Sequence, residues 1–374
     1  MTEAPRSETA LGAKIKTLIR RDGPMSVAGF MAACLTDPEH GYYRRRPAIG
    51  ASGDFVTAPE ISQVFGELIG LWCAVVWQQM GSPKRLNLVE LGPGRGTLMR
   101  DALRAARIVP GFRDALDVHL VDRNETLRDL QQAALADCGV ALHFHADACD
   151  ALLLPSQIAS EPTLVLANEF LDAMPIEQVQ FAGGAWRRRL VVLDAAQEGF
   201  CFEPDLRSVV EPHPAPDTLR PAEGDIFEFS PAIDALASAL RTRAGFAPLV
   251  ALVIDYGHAA SGFGDTLQGV AGHRYASPLD APGETDLSAQ VDFQSFANRC
   301  QEAGLAVDGP VPQAEFLGRL GIVERASRLM SVNPDKAGAV EAGVQRLLAP
   351  TGMGARFLAL GVRSAELAPL PGLA

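Results

Sequence analysis

The sequence has little positive charge, few aromatic residues and no long hydrophobic run. Its 374 residues contain 33 Lys and Arg against 45 Asp and Glu, a net charge of -12, so binding to nucleic-acid phosphates is not expected. The most apolar run, residues 68–77, is shorter than the roughly 20 residues of a membrane-spanning helix, so no membrane insertion is expected. With 48% hydrophobic residues, the chain is long enough for one large elaborated domain or two smaller ones.

Paired cysteines are also missing. The six cysteines are scattered without a Cys-x-x-Cys pair, so neither a disulfide framework nor a structural zinc site is expected. The first twenty residues include Glu3 and Glu8 and lack a continuous apolar core, which is typical of neither a secretory signal nor an acid-poor transit peptide. These features favour a cytoplasmic protein of bacterial type.

Strand and helix patterns alternate through the middle of the chain. Helices are predicted over residues 97–106 and 127–137. The predicted strands are residues 86–91, 117–122, 142–147, 163–167 and 249–255, with a late strand at 357–362 and a loose tail at 367–374. Such alternation predicts an α/β fold in which helices cover both faces of a mostly parallel sheet.

The regions outside this alternation suggest a division of the chain. Residues 11–35 carry helical periodicity broken at Gly23-Pro24, and we assign residues 1–84 to an N-terminal helical cap. Residues 85–374 form the predicted core domain, interrupted by an insertion at 176–247 that contains a hairpin and a proline-rich loop. We expect the insertion to face the substrate.

The strongest local motif is a glycine-rich loop between a strand and a helix. The strand carries Glu90 near its end, the loop contains Gly92, Gly94 and Gly96, and the helix begins at Thr97. Glycines let the backbone approach a ligand, and free N–H groups at the helix start bind anions. The spacing differs from the dinucleotide Gly-x-Gly-x-x-Gly, and the acid suits an amine-bearing ligand. S-adenosylmethionine carries both charges, although a purely structural turn is the alternative.

Two further acids follow the next two predicted strands. Asp122 is placed to accept hydrogen bonds from ribose hydroxyls, and Asp147 is placed to accept from an adenine amino group. Either residue alone is equally well explained as an ordinary strand-end or helix-capping acid. Three acids after three successive strands favour a nucleoside-bearing ligand.

The chain resembles the class I methyltransferases and, within them, the MidA family, whose mitochondrial members assist assembly of respiratory complex I as protein arginine methyltransferases. Motifs distributed over most of the chain carry the resemblance. They are residues 23–25, 41–43, 53–62, 90–97, 168–175, 255–258 and 283–287. The resemblance implies a seven-stranded Rossmann-like sheet, S-adenosylmethionine as cofactor and a protein arginine as acceptor, with a complex I subunit as the possible partner.

The same resemblance directs attention to the segment Asn168-Glu169-Phe170-Leu171-Asp172, after the fourth strand. Asn168 is expected to contact the cofactor. Glu169 and Asp172 form a candidate catalytic pair, because carboxylates can hold a guanidinium, align one nitrogen and accept its proton. An acidic helix first turn is the structural alternative. His258 closes the fifth strand and is a candidate proton relay, while a packing role is equally compatible.

A polar loop precedes the first long helix of the cap. Its residues Asp54, Thr57 and Glu60 are expected to lie over the methionine end of the cofactor or near the substrate. No metal is expected: His143, His145 and Asp147 alternate on one strand face, but no third nitrogen or sulfur ligand is placed by the sequence.

Two other functions remain open at this point. One is a chaperone that binds S-adenosylmethionine structurally while it assists assembly, without catalysis. The other is a nicotinamide-dependent oxidoreductase, which shares the sheet and the ribose acid but normally has a different glycine spacing.

Overall fold

The computed structural model describes residues 8–45, 56–153, 160–211, 215–272 and 274–373. The strands are β1 Met25–Ser26, β2 Leu86–Leu91, β3 Leu116–Val121, β4 Ala141–His145, β5 Thr163–Asn168, β6 Glu177–Ala182, β7 Ala185–Leu193, β8 Phe200–Pro204, β9 Ile226–Phe229, β10 Leu249–His258, β11 Gln268–Ala271, β12 Arg274–Ala276, β13 Asp286–Ser288, β14 Val291–Asp292, β15 Ala306–Pro312 and β16 Phe357–Arg363. The helices are α1 Ala10–Asp22, α2 Val27–Thr36, α3 Tyr42–Arg45, α4 Ala58–Ile61, α5 Gln63–Gln79, α6 Thr97–Ala105, α7 Glu125–Leu135, α8 Ala148–Leu152, α9 Pro231–Ala244, α10 Phe293–Glu302, α11 Gln313–Arg319, α12 Ile322–Val332, α13 Ala337–Leu348 and α14 Met353–Arg356.

The central sheet has the order β15-β16-β10-β5-β2-β3-β4, with β14 added beside β10. The strands β10, β5, β2, β3 and β4 pair in parallel, and β16 is antiparallel to both of its neighbours. This arrangement confirms the predicted α/β methyltransferase sheet. Strand β10 extends to His258, beyond its predicted end, and β15 was not predicted.

The parallel strands β2, β3, β5 and β10 each contribute to two hydrophobic cores. Leu88 and Leu120 pack on one face of the sheet, whereas Val89 and Val121 pack on the other. This follows from the two-residue repeat of a strand, which sends neighbouring side chains to opposite faces. Helices α5, α6 and α11 to α13 contribute to the first core, and α9 and α10 contribute to the second.

The inserted region forms its own antiparallel sheet. The predicted hairpin is β6 and β7, joined by Gly183 and Gly184, both with positive φ. Strand β1 pairs with β7, so the N-terminal region and the insertion share a sheet. Helix α5, in contrast, packs against the central sheet. The division of the chain at residue 84 stays a prediction.

The C-terminal tail was wrongly predicted to be loose. Leu370 and Leu373 are buried in the same core as α5, and the indole Nε1 of Trp72 donates a hydrogen bond of 3.0 Å to the carbonyl of Pro371. These contacts join residues 299 positions apart, which local sequence patterns do not indicate. None of the described helices combines the length and hydropathy needed to cross a bilayer.

Candidate active site

The glycine-rich loop lies at the carboxyl end of β2, as predicted. Gly92, Gly94 and Gly96 have φ values of 68°, 53° and 80°, in the left-handed region that glycine tolerates best. A Cβ atom on Gly92 would also lie 2.8 Å from Cδ2 of Phe170. The loop therefore needs glycine for its backbone and for its contact with the turn after β5.

Glu90 is buried under this loop. Its side-chain oxygen Oε2 has no hydrogen-bond partner among the described residues, and burial raises the pKa of its carboxyl to about 8. A buried carboxylate without a partner is costly unless a ligand supplies the donor. This orphaned atom suits the positively charged amino group of S-adenosylmethionine, and binding of that group by Glu90 stays a prediction.

Asp122 follows β3 and is connected to the glycine loop by a residue that sequence reasoning missed. Its Oδ2 accepts a hydrogen bond of 3.0 Å from Nε2 of Gln131, which also donates to the carbonyl of Gly94 at 2.8 Å. Its Oδ1 accepts from the backbone N–H of Asn124 at 2.8 Å, and burial raises the pKa of Asp122 to about 6. The only sequence signal for Gln131 is a polar residue on the buried side of α7.

Asp147 is placed at the end of β4, but the chain already uses its carboxylate. Its Oδ1 caps α8 by accepting from the backbone N–H of Cys149 at 2.8 Å, and its Oδ2 lies 2.9 Å from Nη2 of Arg123. Burial acts to raise its pKa, yet Arg123 and the backbone donors bring the pKa below its ordinary value. These contacts agree with the alternative that Asp147 is a helix-capping acid. Adenine binding by Asp147 stays a prediction.

The histidines next to Asp147 contact one another. Nδ1 of His119 lies 3.0 Å from Nε2 of His145, and the rings of His119 and His143 stack. Burial, with His143 and His145 nearby, lowers the pKa of His119 to about 3. In the part of the chain that the structure describes, no three His, Cys, Asp or Glu residues are grouped to hold a metal ion.

Glu169 lies directly after β5 with a φ of 51°, a strained backbone conformation for a residue other than glycine. Its Oε1 accepts hydrogen bonds from the backbone N–H of Ala58 at 2.8 Å and from Nδ2 of Asn168 at 3.2 Å. Burial raises the pKa of Glu169 to about 7. Asn168, predicted to contact the cofactor, therefore contacts Glu169, while its Oδ1 has no partner among the described residues.

Asp255 holds the strained turn in place, a role that sequence reasoning did not assign. Its Oδ2 accepts from the backbone N–H groups of Phe170, Leu171 and Asp172 at 3.1, 2.9 and 3.2 Å. Burial, together with Asp172 and Glu169, raises the pKa of Asp255, and the backbone donors oppose that change. The sequence signal for Asp255 was its position as an acid near the end of β10, the strand that pairs with β5. Glu169 and Asp172 follow β5.

Asp172 and two tyrosines complete an acidic crevice. Burial raises the pKa of Asp172 to about 6, and the hydroxyl of Tyr256 hydrogen-bonds to its carboxylate. The pKa of Tyr43 is raised by burial and by the nearby carboxylates of Asp286 and Asp172. We refer to Glu169, Asp172, Asp286, Tyr43 and Tyr256 as the acidic crevice.

The segment around α4 connects the glycine loop to the acidic crevice. Glu60 accepts a hydrogen bond from the hydroxyl of Thr97, and the N–H of Ala58 binds Glu169. Thr57 is the N-cap residue of α4 and makes no side-chain capping bond. Asp54 lies outside the described residues. Glu60 is therefore near the glycine loop, and the proximity of this segment to the methionine end of the cofactor stays a prediction.

His258 faces a different part of the molecule. Its Nδ1 lies 2.9 Å from the carbonyl oxygen of Ala260. The imidazole lines a cavity of about 320 Å³ whose described lining includes neither Glu169 nor Asp172. Its role as a proton relay stays a prediction.

Known proteins resemble this chain over most of its length. Residues 68–311 match the sequence model of a family of S-adenosyl-L-methionine-dependent methyltransferases. The mitochondrial protein arginine methyltransferase NDUFAF7 of Danio rerio is 35% identical, across 90% of this chain and 82% of the relative, and that of Homo sapiens is 33% identical, across 91% and 80%. A Burkholderia thailandensis protein crystallised with S-adenosyl-homocysteine has a TM-score of 0.81 and 25% identity, covering 98% of this chain and 94% of that one.

These relatives correct the predicted location. Their names describe mitochondrial proteins, so the expectation of a cytoplasmic protein is contradicted. That expectation rested on the acidity of the first residues and the lack of an apolar core there. Neither property is linked to the fold or to the chemistry of the site.

The site and the relatives agree on the cofactor. The left-handed glycines and the orphaned Glu90 oxygen suit S-adenosylmethionine, and a relative is bound to the demethylated product of that cofactor. The predictions of the cofactor and of an enzyme are confirmed, and nothing favours a nicotinamide-dependent oxidoreductase. The chain belongs to this family and is an S-adenosylmethionine-dependent methyltransferase.

Proposed function

We propose that the enzyme methylates an arginine side chain of a protein. The observation that carries this proposal is the acidic crevice, in which the partly buried Glu169 and Asp172 lie on the turn that contacts Gly92. A guanidinium is cationic and planar, and it pairs with carboxylates through two parallel hydrogen bonds. The names of the curated relatives, which are protein arginine methyltransferases, point to the same acceptor.

In the donor half of the site, we assign one group of the chain to each part of the cofactor. We assign Glu90 to the amino group of S-adenosylmethionine, and the glycines with the N–H groups at Thr97 to its carboxylate. Asp122 is assigned to the ribose hydroxyls, Asp147 to the adenine amino group and Asn168 to the cofactor near Glu169. When bound, S-adenosylmethionine supplies an electrophilic methyl group on a sulfonium sulfur.

The acceptor half prepares the nucleophile. Glu169 and Asp172 hold the guanidinium and align one nitrogen, and that nitrogen forms the new bond to carbon as the sulfur–carbon bond breaks and its electron pair stays on sulfur. The methylated nitrogen then gives a proton to a carboxylate. Because the pKa of Glu169 is raised to about 7, its carboxylate is a stronger base than an exposed glutamate.

We further propose that residues 1–84 act as a cap on a core domain of residues 85–374 with its insertion at 176–247. The contacts of Ala58 with Glu169 and of Glu60 with Thr97 support a cap that closes over both halves of the site. In sequence, Asp54 and Thr57 belong to the same segment, residues 53–62, and we include both in the cap. In this proposal, His258 relays a proton away from the crevice.

The test of the function is the substitution Glu169→Gln, paired with Asp172→Asn. We expect methyl transfer to fall on the order of 100-fold or more, because alignment and the proton acceptor are lost. The affinity for S-adenosylmethionine, measured by calorimetry, should stay within about threefold, because these carboxylates are assigned to the acceptor. Glu67→Gln is the matched control, since Glu67 is a buried glutamate whose carboxylate pairs with Arg104 and Arg325.

Two results would contradict these assignments. If Glu169→Gln transfers methyl groups at the wild-type rate, Glu169 is not catalytic. If the variant loses donor affinity as strongly as turnover, Glu169 belongs to the cofactor site instead.

The acceptor protein is proposed to be a subunit of respiratory complex I, as the family resemblance implies. Labelled S-adenosylmethionine, incubated with the enzyme and a cell lysate, should transfer label to one protein, and mass spectrometry should locate it on arginine. Label on lysine or on a small molecule would contradict the arginine proposal. A chaperone without catalysis would bind the donor and label nothing.

A further inference from the structure

A small three-stranded sheet contacts the acidic crevice. Its strand order is β12-β11-β13, and both pairings are antiparallel. Nε2 of Gln268 in β11 donates hydrogen bonds to the hydroxyl of Tyr256 at 3.3 Å and to the hydroxyl of Ser288 in β13 at 3.5 Å. Asp286 of the acidic crevice also lies in β13. The small sheet therefore forms part of the crevice wall through β11 and β13.

The pairing register shows which side chains share the face toward the crevice. Gln268 of β11 pairs with Ser288 of β13. Val270, two residues later in β11, pairs with Asp286 on one side and with Tyr275 of β12 on the other. Residues directly opposite in an antiparallel pair, and residues two apart in one strand, have side chains on the same face. Tyr275 therefore lies on the face that contacts the crevice.

The two faces of the small sheet differ in burial. Leu287, on the opposite face, is fully buried among side chains of α1 and α2. On the crevice face, Val270 and Asp286 are buried, whereas Tyr275 on the edge strand is 79% exposed. Tyr275 is the most exposed large hydrophobic side chain among the described residues. The crevice face thus ends in an aromatic ring that is open to solvent.

Tyr275 lies within reach of a chain that is bound at the crevice. Neighbouring strands are about 4.8 Å apart, so the backbones at Tyr275 and Asp286, two strands apart, are separated by about 10 Å. An extended polypeptide covers that distance with about three residues. A polypeptide whose arginine occupies the crevice therefore has neighbouring residues that reach the Tyr275 ring.

We propose that Tyr275 is a docking residue for the acceptor protein, and that its ring packs against the polypeptide beside the methylated arginine. A tyrosine ring offers a large apolar surface, and tyrosine is enriched among the residues that dominate the energy of protein interfaces. The occupant is a polypeptide segment because the ring is continuous with the crevice and the curated relatives are protein arginine methyltransferases. This inference rests on the proposed function and adds a contact outside the reacting centre.

Phe246 is the matched control for the loss of an exposed aromatic ring. It is 62% exposed and precedes β10, at the amino end of that strand. Tyr256 of the crevice lies near the carboxyl end of the same strand. Phe246 and the crevice are therefore at opposite edges of the central sheet, and Phe246→Ala removes an exposed ring far from the proposed contact.

The experiment compares Tyr275→Ala, Tyr275→Phe and Phe246→Ala with wild type. The substrates are the acceptor protein that takes up label and two peptides cut from it, with one or seven residues on each side of the arginine. Tyr275→Ala should raise KM for the protein and for the longer peptide about 10-fold, with kcat unchanged. It should leave KM for the shorter peptide and the affinity for S-adenosylmethionine as in wild type.

The other two variants should keep KM near the wild-type value. Tyr275→Phe retains the ring, and Phe246→Ala leaves the crevice face intact. Thermal unfolding and donor affinity of each variant show that the fold is preserved.

Three results would overturn the inference and leave the proposed function standing. They are a wild-type KM of Tyr275→Ala for the acceptor protein, an equal rise in KM for both peptides, and an equal rise in Phe246→Ala. If neither peptide is methylated, KM for the intact protein decides. Donor binding by the wild type without methyl transfer to any arginine would instead overturn the proposed function, and this inference with it.

Discussion

The donor half and the acceptor half of the site are built in different ways. In the donor half, two of the acids accept hydrogen bonds from backbone N–H groups two positions further along the chain: Asp122 from Asn124, and Asp147 from Cys149. In the acceptor half, Glu169 binds the N–H of Ala58, 111 residues away, and Asp255 binds that of Leu171, 84 residues away. The donor half is therefore specified by short motifs, whereas the acceptor half depends on the packing of distant segments.

The two halves also differ in what a substitution should change. The donor half holds a ligand through backbone geometry and hydrogen bonds, so its variants should alter donor affinity. The acceptor half concentrates buried carboxylates whose pKa values are raised, so its variants should alter turnover and its pH dependence. Substitutions in each half test whether this separation holds.

The largest effect is expected from Gly92→Val in the donor half. Its Cβ would lie 2.8 Å from Phe170, and valine disfavours a φ of 68°, so the loop must move. Affinity for S-adenosylmethionine should fall by more than about 100-fold by isothermal titration. Gly81→Ala is the control, because Gly81 also has a positive φ but open space around it. Near-native affinity of Gly92→Val would place the cofactor elsewhere.

The next effect is expected from Asp255→Asn in the acceptor half. An amide cannot accept all four backbone N–H groups that Asp255 binds, counting that of Tyr256, so the turn that carries Glu169 should shift. Methyl transfer should fall on the order of 100-fold, while donor affinity changes little. Asp308→Asn disturbs a partly buried ion pair with Arg363 and is the control for a loss of stability. Equal losses of donor affinity and of methyl transfer would contradict the separation between the donor half and the acceptor half.

Asp122→Ala should have a moderate effect on the donor half. Loss of charge-assisted hydrogen bonds to ribose should weaken S-adenosylmethionine binding by about 1.5 to 3 kcal/mol. Gln131→Met should weaken binding less, because it removes only the link from Asp122 to Gly94. Titration of both variants with S-adenosylmethionine tests this order. An unchanged affinity of Asp122→Ala would show that other residues bind the ribose.

The smallest effect is expected from pH. Burial raises the pKa of Glu169 to about 7, so its carboxyl is mostly neutral at pH 6 and mostly ionised at pH 8. Because the ionised form accepts the proton, kcat/KM for methyl transfer should rise about 10-fold over that interval. The rise should be absent from the residual activity of Glu169→Gln. A wild-type profile that falls over this interval would contradict the assigned role.

The sequence alone predicted the parts of the molecule that repeat locally. Alternating strands and helices, with the glycine loop between β2 and α6, were sufficient to predict the sheet and a nucleoside-bearing ligand, because apolar periodicity and glycine backbone preferences act over a few residues. The family resemblance identified that ligand as S-adenosylmethionine. The motif Asn168 to Asp172 marked the acceptor half through resemblance. The resemblance named Glu169 and Asp172 as candidate carboxylates. It did not name Asp255, which binds the backbone of the turn that carries them.

The tertiary structure decided what distant segments do to one another. It buried the tail under Trp72, joined β1 to the inserted sheet, and placed Asp255 under the turn of Glu169. It also directed His258 toward a cavity that the crevice does not include. Hydrogen bonds and burial between residues tens to hundreds of positions apart leave no periodic signal, and they set the pKa values and the backbone strain on which the proposed chemistry depends.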